Sequence, residues 1–283
     1  MGGLRLSHGA ELYNAMRKRS RKQTLIRVAI VLLAILFGVS LWQLIATADR
    51  YRQEKKVHDA LLVYKPELPS SLLPAAPSRP GRTEPSEPDG QSLPPEEQVP
   101  EVVNESILQL QADYPNALGW ITVPGTAVDY PFAQARDNKY YLRRALDGSY
   151  LYAGVPFLDY RCEPDFTSAN SILYGHNLRN GTMFGSLEKF RQKDFFDENR
   201  EFYIFLSHET LRVEIFACLV ISPGKGDYLY QSVLNGDFVG QIRRDARQFR
   251  EPVLPEQERF VTLSTCGYEF SGARIVIVGQ IIE

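Results

Sequence analysis

The sequence predicts a mainly β domain, a closed or nearly closed barrel with helices at its edges, preceded by one N-terminal transmembrane helix. Three observations predict it. An uncharged apolar stretch of 19 residues near the N-terminus follows a dense basic leader. A proline-rich segment separates that stretch from the rest of the chain. Beyond residue 101 the apolar residues gather mostly in short β-type runs, with few helical patterns between them.

Residues 28–46 carry no charge, and their only polar side chains are Ser40 and Gln43. A helix of that length spans about 28 Å, close to the hydrocarbon thickness of a bilayer. Arg17, Lys18, Arg19, Arg21, Lys22 and Arg27 precede it. Positive charge of that density stays cytoplasmic, so residues 1–27 read as a cytoplasmic leader and the bulk of the chain as extracellular. A cleavable signal peptide competes with a retained anchor, because Ala46-Thr47-Ala48 has the small-x-small form of a cleavage site. Length favours the anchor, and both readings export the remainder.

Residues 47–100 form a juxtamembrane segment and a spacer. The part up to Tyr64 has the pattern of a short helix, and residues 65–100 hold ten of the chain's 18 prolines. Proline removes a backbone donor and fixes φ, so this stretch reads as extended and semi-rigid. Residues 101–283 have a globular composition and form one domain long enough to bury a single core. Its β runs lie at 120–123, 150–158, 171–174, 201–206, 211–221, 259–265 and 274–282. The run from Arg274 has β-branched residues on both faces, as in a strand covered on both sides. Helical patterns lie at 102–112, 139–145, 183–190 and, most extensively, 231–249, where Leu234, Phe238, Ile242, Ala246 and Phe249 recur every three or four residues.

With 32 basic and 34 acidic residues the net charge is −2, which gives no case for a nucleic-acid partner. Three cysteines without a Cys-x-x-Cys pair exclude a disulfide framework and a zinc-ribbon site. No metal-ligand cluster stands out, and no cofactor is expected.

The few histidines and cysteines can be weighed one by one. His8 and His58 fall in the leader and the juxtamembrane piece, and His208 sits in a turn. His176 emerges where the run 171–174 gives way, through Gly175, to a loop. That placement suits catalysis, and a merely hydrogen-bonded histidine is the rival reading. Cys218, inside an apolar run, reads as a small buried hydrophobe. Cys162 is expected to be partly exposed and unactivated. Cys266 closes one β run, and Arg274 opens the next. A loop between antiparallel neighbours would bring the two together, and a guanidinium there would favour a thiolate and bind an oxyanion. The alternative is a surface ion pair of Arg274 with Glu269.

Thr262-Leu-Ser-Thr-Cys266, Arg274 eight positions on, and Tyr174-Gly-His-Asn177 ninety residues before the cysteine together resemble a class B sortase. Asp137-Asn-Lys-Tyr-Tyr-Leu142 and Phe157-Leu-Asp-Tyr-Arg161 add to the resemblance. It implies an eight-stranded barrel in a membrane-anchored cysteine transpeptidase of Gram-positive surfaces. It further implies Cys266 as nucleophile, His176 as general acid/base and Arg274 as substrate and oxyanion clamp. By the same resemblance Asn138, Leu142 and Ser264 line the peptide groove. The insert at 222–252 contacts substrate through Tyr228 or Tyr230. The implied partners are surface proteins bearing a C-terminal sorting signal, cleaved after threonine, and the amine of a lipid II-type cell-wall precursor. Gly267 departs from members with an acidic or polar residue after the cysteine, and it removes any side-chain contact there. Two rival functions are an exported cysteine peptidase that only hydrolyses and an anchored barrel that only binds. Papain-like enzymes place cysteine before histidine, the reverse of the order here.

Overall fold

In a computed structural model of the chain, residues 5–68, 103–178, 180–222, 224–234, 236–253, 258–266 and 272–282 are described, with the backbone alone at 5–24, 26 and 266. The chain divides into two compact units, residues 1–55 and 56–283.

Helix α1 (Arg5–Leu61) makes up the first unit and ends within the second. Its described residues between 28 and 45 expose their apolar side chains, and the helix is long and apolar enough to cross a membrane. The expected juxtamembrane helix is the end of α1 followed by a 3-10 turn, Leu62–Tyr64. Most of the proline-rich spacer, from residue 69, lies outside the described residues.

In the second unit α2 (Glu105–Asp113) precedes strands β1 (Ala117–Thr122), β2 (Asp129–Gln134), β3 (Phe157–Leu158) and β4 (Asn170–Tyr174). A short helix α3 (Lys193–Glu198) leads into β5 (Glu201–Phe205) and β6 (Thr210–Ile221). After α4 (Phe238–Asp245) come β7 (Ala246–Phe249), β8 (Phe260–Cys266) and β9 (Arg274–Ile281). Neighbours run in the order β5-β1-β2-β3-β4-β8-β9-β6, and β6 pairs back onto β5. That closes an eight-stranded barrel, as the sequence predicts. Strand β6 closes it because it is long: Thr210–Glu214 pair with β5, while Val213–Ile221 pair with β9. Strand β7 hydrogen-bonds to β6 outside the ring.

The core is layered. Inside the barrel Phe132, Phe184, Phe202, Leu263 and Ile277 are wholly buried, and each such side chain contributes roughly 1.5–3 kcal/mol. Outside β1, α2 packs Ile107 and Leu110 against Trp120 and Phe205. Outside β6 and β9, α4 packs Phe238 and Ile242 against Phe216, Val276 and Val278. Strand β9 therefore buries Ile277 inward and Val276 and Val278 outward, which is why its sequence is apolar on both faces.

Several elements differ from the sequence expectation. The run 150–158 is a strand only at Phe157–Leu158. The patterns at 139–145 and 183–190 are 3-10 helices, Tyr140–Arg143 and Phe184–Arg191. Strand β2 had no β signal because Pro131 interrupts it; the proline is tolerated where β3 pairs only with Ala133 and Gln134. The extended helix at 231–249 is the shorter α4. Gly236 turns the chain at φ +75°, Asp237 caps the helix by accepting from Gly240 N (2.7 Å), and the chain extends at Ala246 to pair with β6. Phe238 and Ile242 pack from the helix and Phe249 from the strand, so one apolar spacing spans two element types.

Candidate active site

Strand register brings the site together. Strands β4 and β8 are parallel, with Tyr174 opposite Ser264, and Gly175 N extends the ladder to Ser264 O (3.1 Å). Two residues beyond that pair stand His176 on one strand and Cys266 on the other. Strands β8 and β9 are antiparallel, with Cys266 directly opposite Arg274. Histidine, cysteine and arginine thus occupy the same end of three adjacent strands, although 90 residues separate the first two.

Gly175 is required at the end of β4. A Cβ there would come within 2.5 Å of the Phe184 ring, so the strand end packs directly on the following 3-10 helix. His176 O accepts from Phe184 N (3.0 Å), and Asn177 Nδ2 donates to Glu188 Oε1 (2.8 Å). The His176 ring is half-buried, and its Nε2 donates to Leu142 O at 2.7 Å. Burial holds its pKa below the usual histidine value; the Leu142 carbonyl opposes this and Arg143 adds to it.

A cavity of 330 Å³ opens beside these residues, lined by Asn138, Leu142, Phe157, Tyr174, Gly175, His176, Ser264, Thr265 and Arg274. One buried carboxylate organises its wall. Asp159 is fully buried and accepts five hydrogen bonds. Its Oδ1 receives Arg161 N (3.0 Å) and Nε (2.9 Å); its Oδ2 receives Arg161 Nη2 (2.7 Å), Asn138 Nδ2 (2.8 Å) and Tyr174 OH (3.0 Å). Burial alone would push the Asp159 pKa up, but these donors win and hold it below the usual carboxylate range. The Tyr174 phenol is pushed well up by burial and by that carboxylate. Arg161 also donates to Tyr230 O (3.0 Å). The Tyr230 ring stacks on Tyr174 at 6.1 Å, and its hydroxyl lies 3.0 Å from Ser264 Oγ.

Residues 121–282 match the Sortase domain family. The chain belongs to the sortase family. A curated relative, sortase B of Listeria monocytogenes, is 30% identical over 188 residues, covering 64% of this chain and 75% of the relative. Among solved structures, a Streptococcus pyogenes class B sortase involved in pilus biogenesis is 34% identical. It covers 61% of this chain and 96% of that one, with a TM-score of 0.58. A Staphylococcus aureus sortase B–substrate complex is 26% identical, covers 64% and 86%, and has a TM-score of 0.58. This protein is therefore a sortase of the class B type, a cysteine transpeptidase acting on sorting-signal substrates.

Of the residues the sequence singled out, Asn138, Leu142, His176, Ser264 and Arg274 line the cavity of this sortase, and Cys266 lies in register with Arg274. Tyr228 does not line it. Its hydroxyl donates to Asp245 Oδ2 (3.0 Å) and its ring packs on Phe238 of α4, so the alternative, Tyr230, is the insert tyrosine beside the cavity. Glu269 and Gly267 lie outside the described residues. Cys162 is buried rather than partly exposed, and burial pushes its thiol up to about 11. Cys218 is buried in β6 as expected. The sequence reading missed the role of Asp159. Its only local signal was an acid ending an apolar run two residues before an arginine. The other donors converge from residues 138 and 174, which no local spacing reveals.

Proposed function

We propose that this sortase cleaves a C-terminal sorting signal after threonine and joins the new carboxyl end to an amine of a lipid II-type cell-wall precursor. In this reading Cys266 is the nucleophile, His176 the general acid/base and Arg274 the clamp on the substrate carbonyl. Asn138, Leu142 and Ser264 line the peptide groove, with Tyr230 behind Ser264. The observation that carries the reading is the register: Cys266 is paired with Arg274 on β8 and β9, and His176 lies at the same end of β4.

The chemistry follows from these groups. Sulfur attacks the threonine carbonyl carbon, and the thiol proton passes to His176. A guanidinium beside the nucleophile stabilises the oxyanion. An amide nitrogen cannot leave as an anion, so His176 returns the proton to it as the C–N bond breaks. The incoming amine then attacks the thioacyl carbon and gives its proton to His176, the C–S bond breaks, and the sulfur is protonated again. Burial favours neutral His176 near pH 7, the form able to accept that proton.

The chain would be arranged as a cytoplasmic leader (1–27), a transmembrane anchor (28–46), a spacer (47–100) and an extracellular catalytic domain (101–283). An anchor and spacer suit an enzyme whose acceptor is itself held at the membrane surface. The test is mass spectrometry of the full-length protein with a panel of five-residue sorting peptides, with and without an amine acceptor. The expected result is a thioacyl adduct on Cys266 that amine converts to ligated product. Hydrolysis indifferent to every amine would favour a peptidase, and absence of an adduct from every peptide would overturn the reading.

A further inference from the structure

We propose that the 3-10 turn Tyr140–Arg143, seated against Gly154, holds His176 as an Nε2–H donor, so that Nδ1 is the atom that carries the proton between enzyme and substrate. The inference rests on His176 being the acid/base. It adds which nitrogen acts and what fixes that choice.

The partner of Nε2 is a backbone carbonyl, Leu142 O, at 2.7 Å. A carbonyl oxygen can only accept, so Nε2 keeps its proton in the neutral and the cationic ring alike. Only Nδ1 is then free to gain and lose a proton. During thioacyl formation Nδ1 takes the Cys266 thiol proton and passes it to the departing amine nitrogen. In the second half it takes a proton from the incoming amine and returns it to sulfur. Nε2–H stays on Leu142 throughout.

The carbonyl is held on both sides. Asp137 Oδ1 accepts from Lys139 N (2.7 Å) and Tyr140 N (2.9 Å), which fixes the start of the turn. Val155 N donates to Tyr141 O (3.3 Å) and Leu151 N to Arg143 O (3.1 Å), which tie its middle and end. Gly154, at φ +61°, lies underneath. A Cβ there would stand 2.2 Å from Tyr141 O and 2.8 Å from Leu142 O, so any side chain displaces the carbonyl that orients the ring. Leu142 also lines the cavity and is 37% exposed. The residue that peptide would touch is thus the residue that holds the imidazole. Among the described residues, Arg143 on the turn is the charged group that acts on the ring, and Tyr174 and Arg274 are the other titratable groups lining the same cavity.

The experiment uses full-length protein in detergent with 15N-labelled histidine, the His176 signals being identified by their loss in His176→Gln. The expected result is neutral His176 protonated at Nε2 and unprotonated at Nδ1. Neutral His176 carrying its proton on Nδ1 in active enzyme would overturn the inference and leave the acid/base assignment standing. Turnover surviving in His176→Gln would instead overturn that assignment. Gly154→Ala is expected to lower kcat by roughly 10- to 100-fold, with KM within about twofold. It should also erase the tautomer preference and move the acid limb of the rate profile to lower pH, since the Leu142 bond opposes the burial effect. Unchanged kcat and tautomer in folded Gly154→Ala would overturn the inference. If that variant does not fold, the tautomer of the unmodified enzyme decides.

Discussion

Replacing Asp159 by Asn removes one charge and almost no volume, and it isolates what the buried carboxylate does. Five donors converge on two oxygens, three on Oδ2 and two on Oδ1. An amide has one oxygen and one NH2, so its nitrogen must face donors wherever it points. The milder orientation puts NH2 at the Oδ1 position and loses the bonds from Arg161 N and Nε. A charge-assisted bond contributes about 1.5–3 kcal/mol and a neutral one about 1 kcal/mol. The Arg161 side chain is 44% exposed and recovers part of this in water, which leaves a cost of about 2–3 kcal/mol. For a domain of this size that lowers Tm by roughly 5–10 °C, measurable by thermal unfolding of the full chain at pH 7. The acid response checks the cause. Because the folded pKa lies below the unfolded value, the stabilisation is complete above the unfolded carboxylate pKa of about 3.9 and is lost as pH falls through the folded one. The gap between the two proteins should therefore hold from neutral pH to about pH 5 and narrow below it. Equal Tm at pH 7, or a gap that widens in acid, would refute the reasoning.

Other outcomes follow from the same geometry. A thiol-directed electrophile should label Cys266 in the folded protein while Cys162 and Cys218 react only after unfolding, read by peptide mass mapping; early labelling of Cys162 would contradict its burial. Tyr230→Phe removes the hydroxyl beside Ser264 and is expected to raise KM about fivefold, the equivalent of one neutral hydrogen bond, whereas Tyr228→Phe leaves KM unchanged; steady-state kinetics with a sorting peptide separates them. Gly175→Ala forces a Cβ against the Phe184 ring and should cost about 1–3 kcal/mol in denaturant unfolding, with an accompanying loss of activity because His176 is the next residue.

What was legible in the sequence was whatever is written locally. Runs such as Arg274-Ile-Val-Ile-Val announce a strand buried on both faces, and β9 is one, between the barrel interior and α4. His176 after Gly175 and Cys266 at the close of its run announce strand ends, and Cys266 closes β8 while His176 stands two residues past the end of β4. Features that depend on tertiary partners were not legible. Pro131 hides a strand that tolerates it only because its neighbour is two residues long. Leu234 to Phe249 reads as one helix because every third or fourth residue is apolar, yet Gly236 and the pairing of Ala246 with Leu219 cut it into turn, helix and strand. Asp159 has a single local partner, Arg161. Its weight in the site comes from Asn138, Tyr174 and, through Arg161, Tyr230.

The placement of the site follows from one parallel pairing. Antiparallel neighbours joined by a short hairpin would put the ends of β4 and β8 on opposite rims. A parallel pair needs a long crossover, and here α3, β5, β6, α4 and β7 supply it, bringing both C-terminal ends to one rim. Strand β9 returns antiparallel, so its first residue meets the last of β8. Register then decides chemistry. A slip of one residue between β8 and β9 would turn Leu263 or Ile277 out of the barrel and would carry Cys266 off Arg274. The outer layer resists the same slip, because Val276 and Val278 are packed under Phe238 and Ile242 of α4. The apolar contacts that stabilise the barrel are therefore also the contacts that hold Cys266 in register with Arg274. If Cys266 and Arg274 act as proposed, core substitutions far from the cavity are expected to change activity through that register.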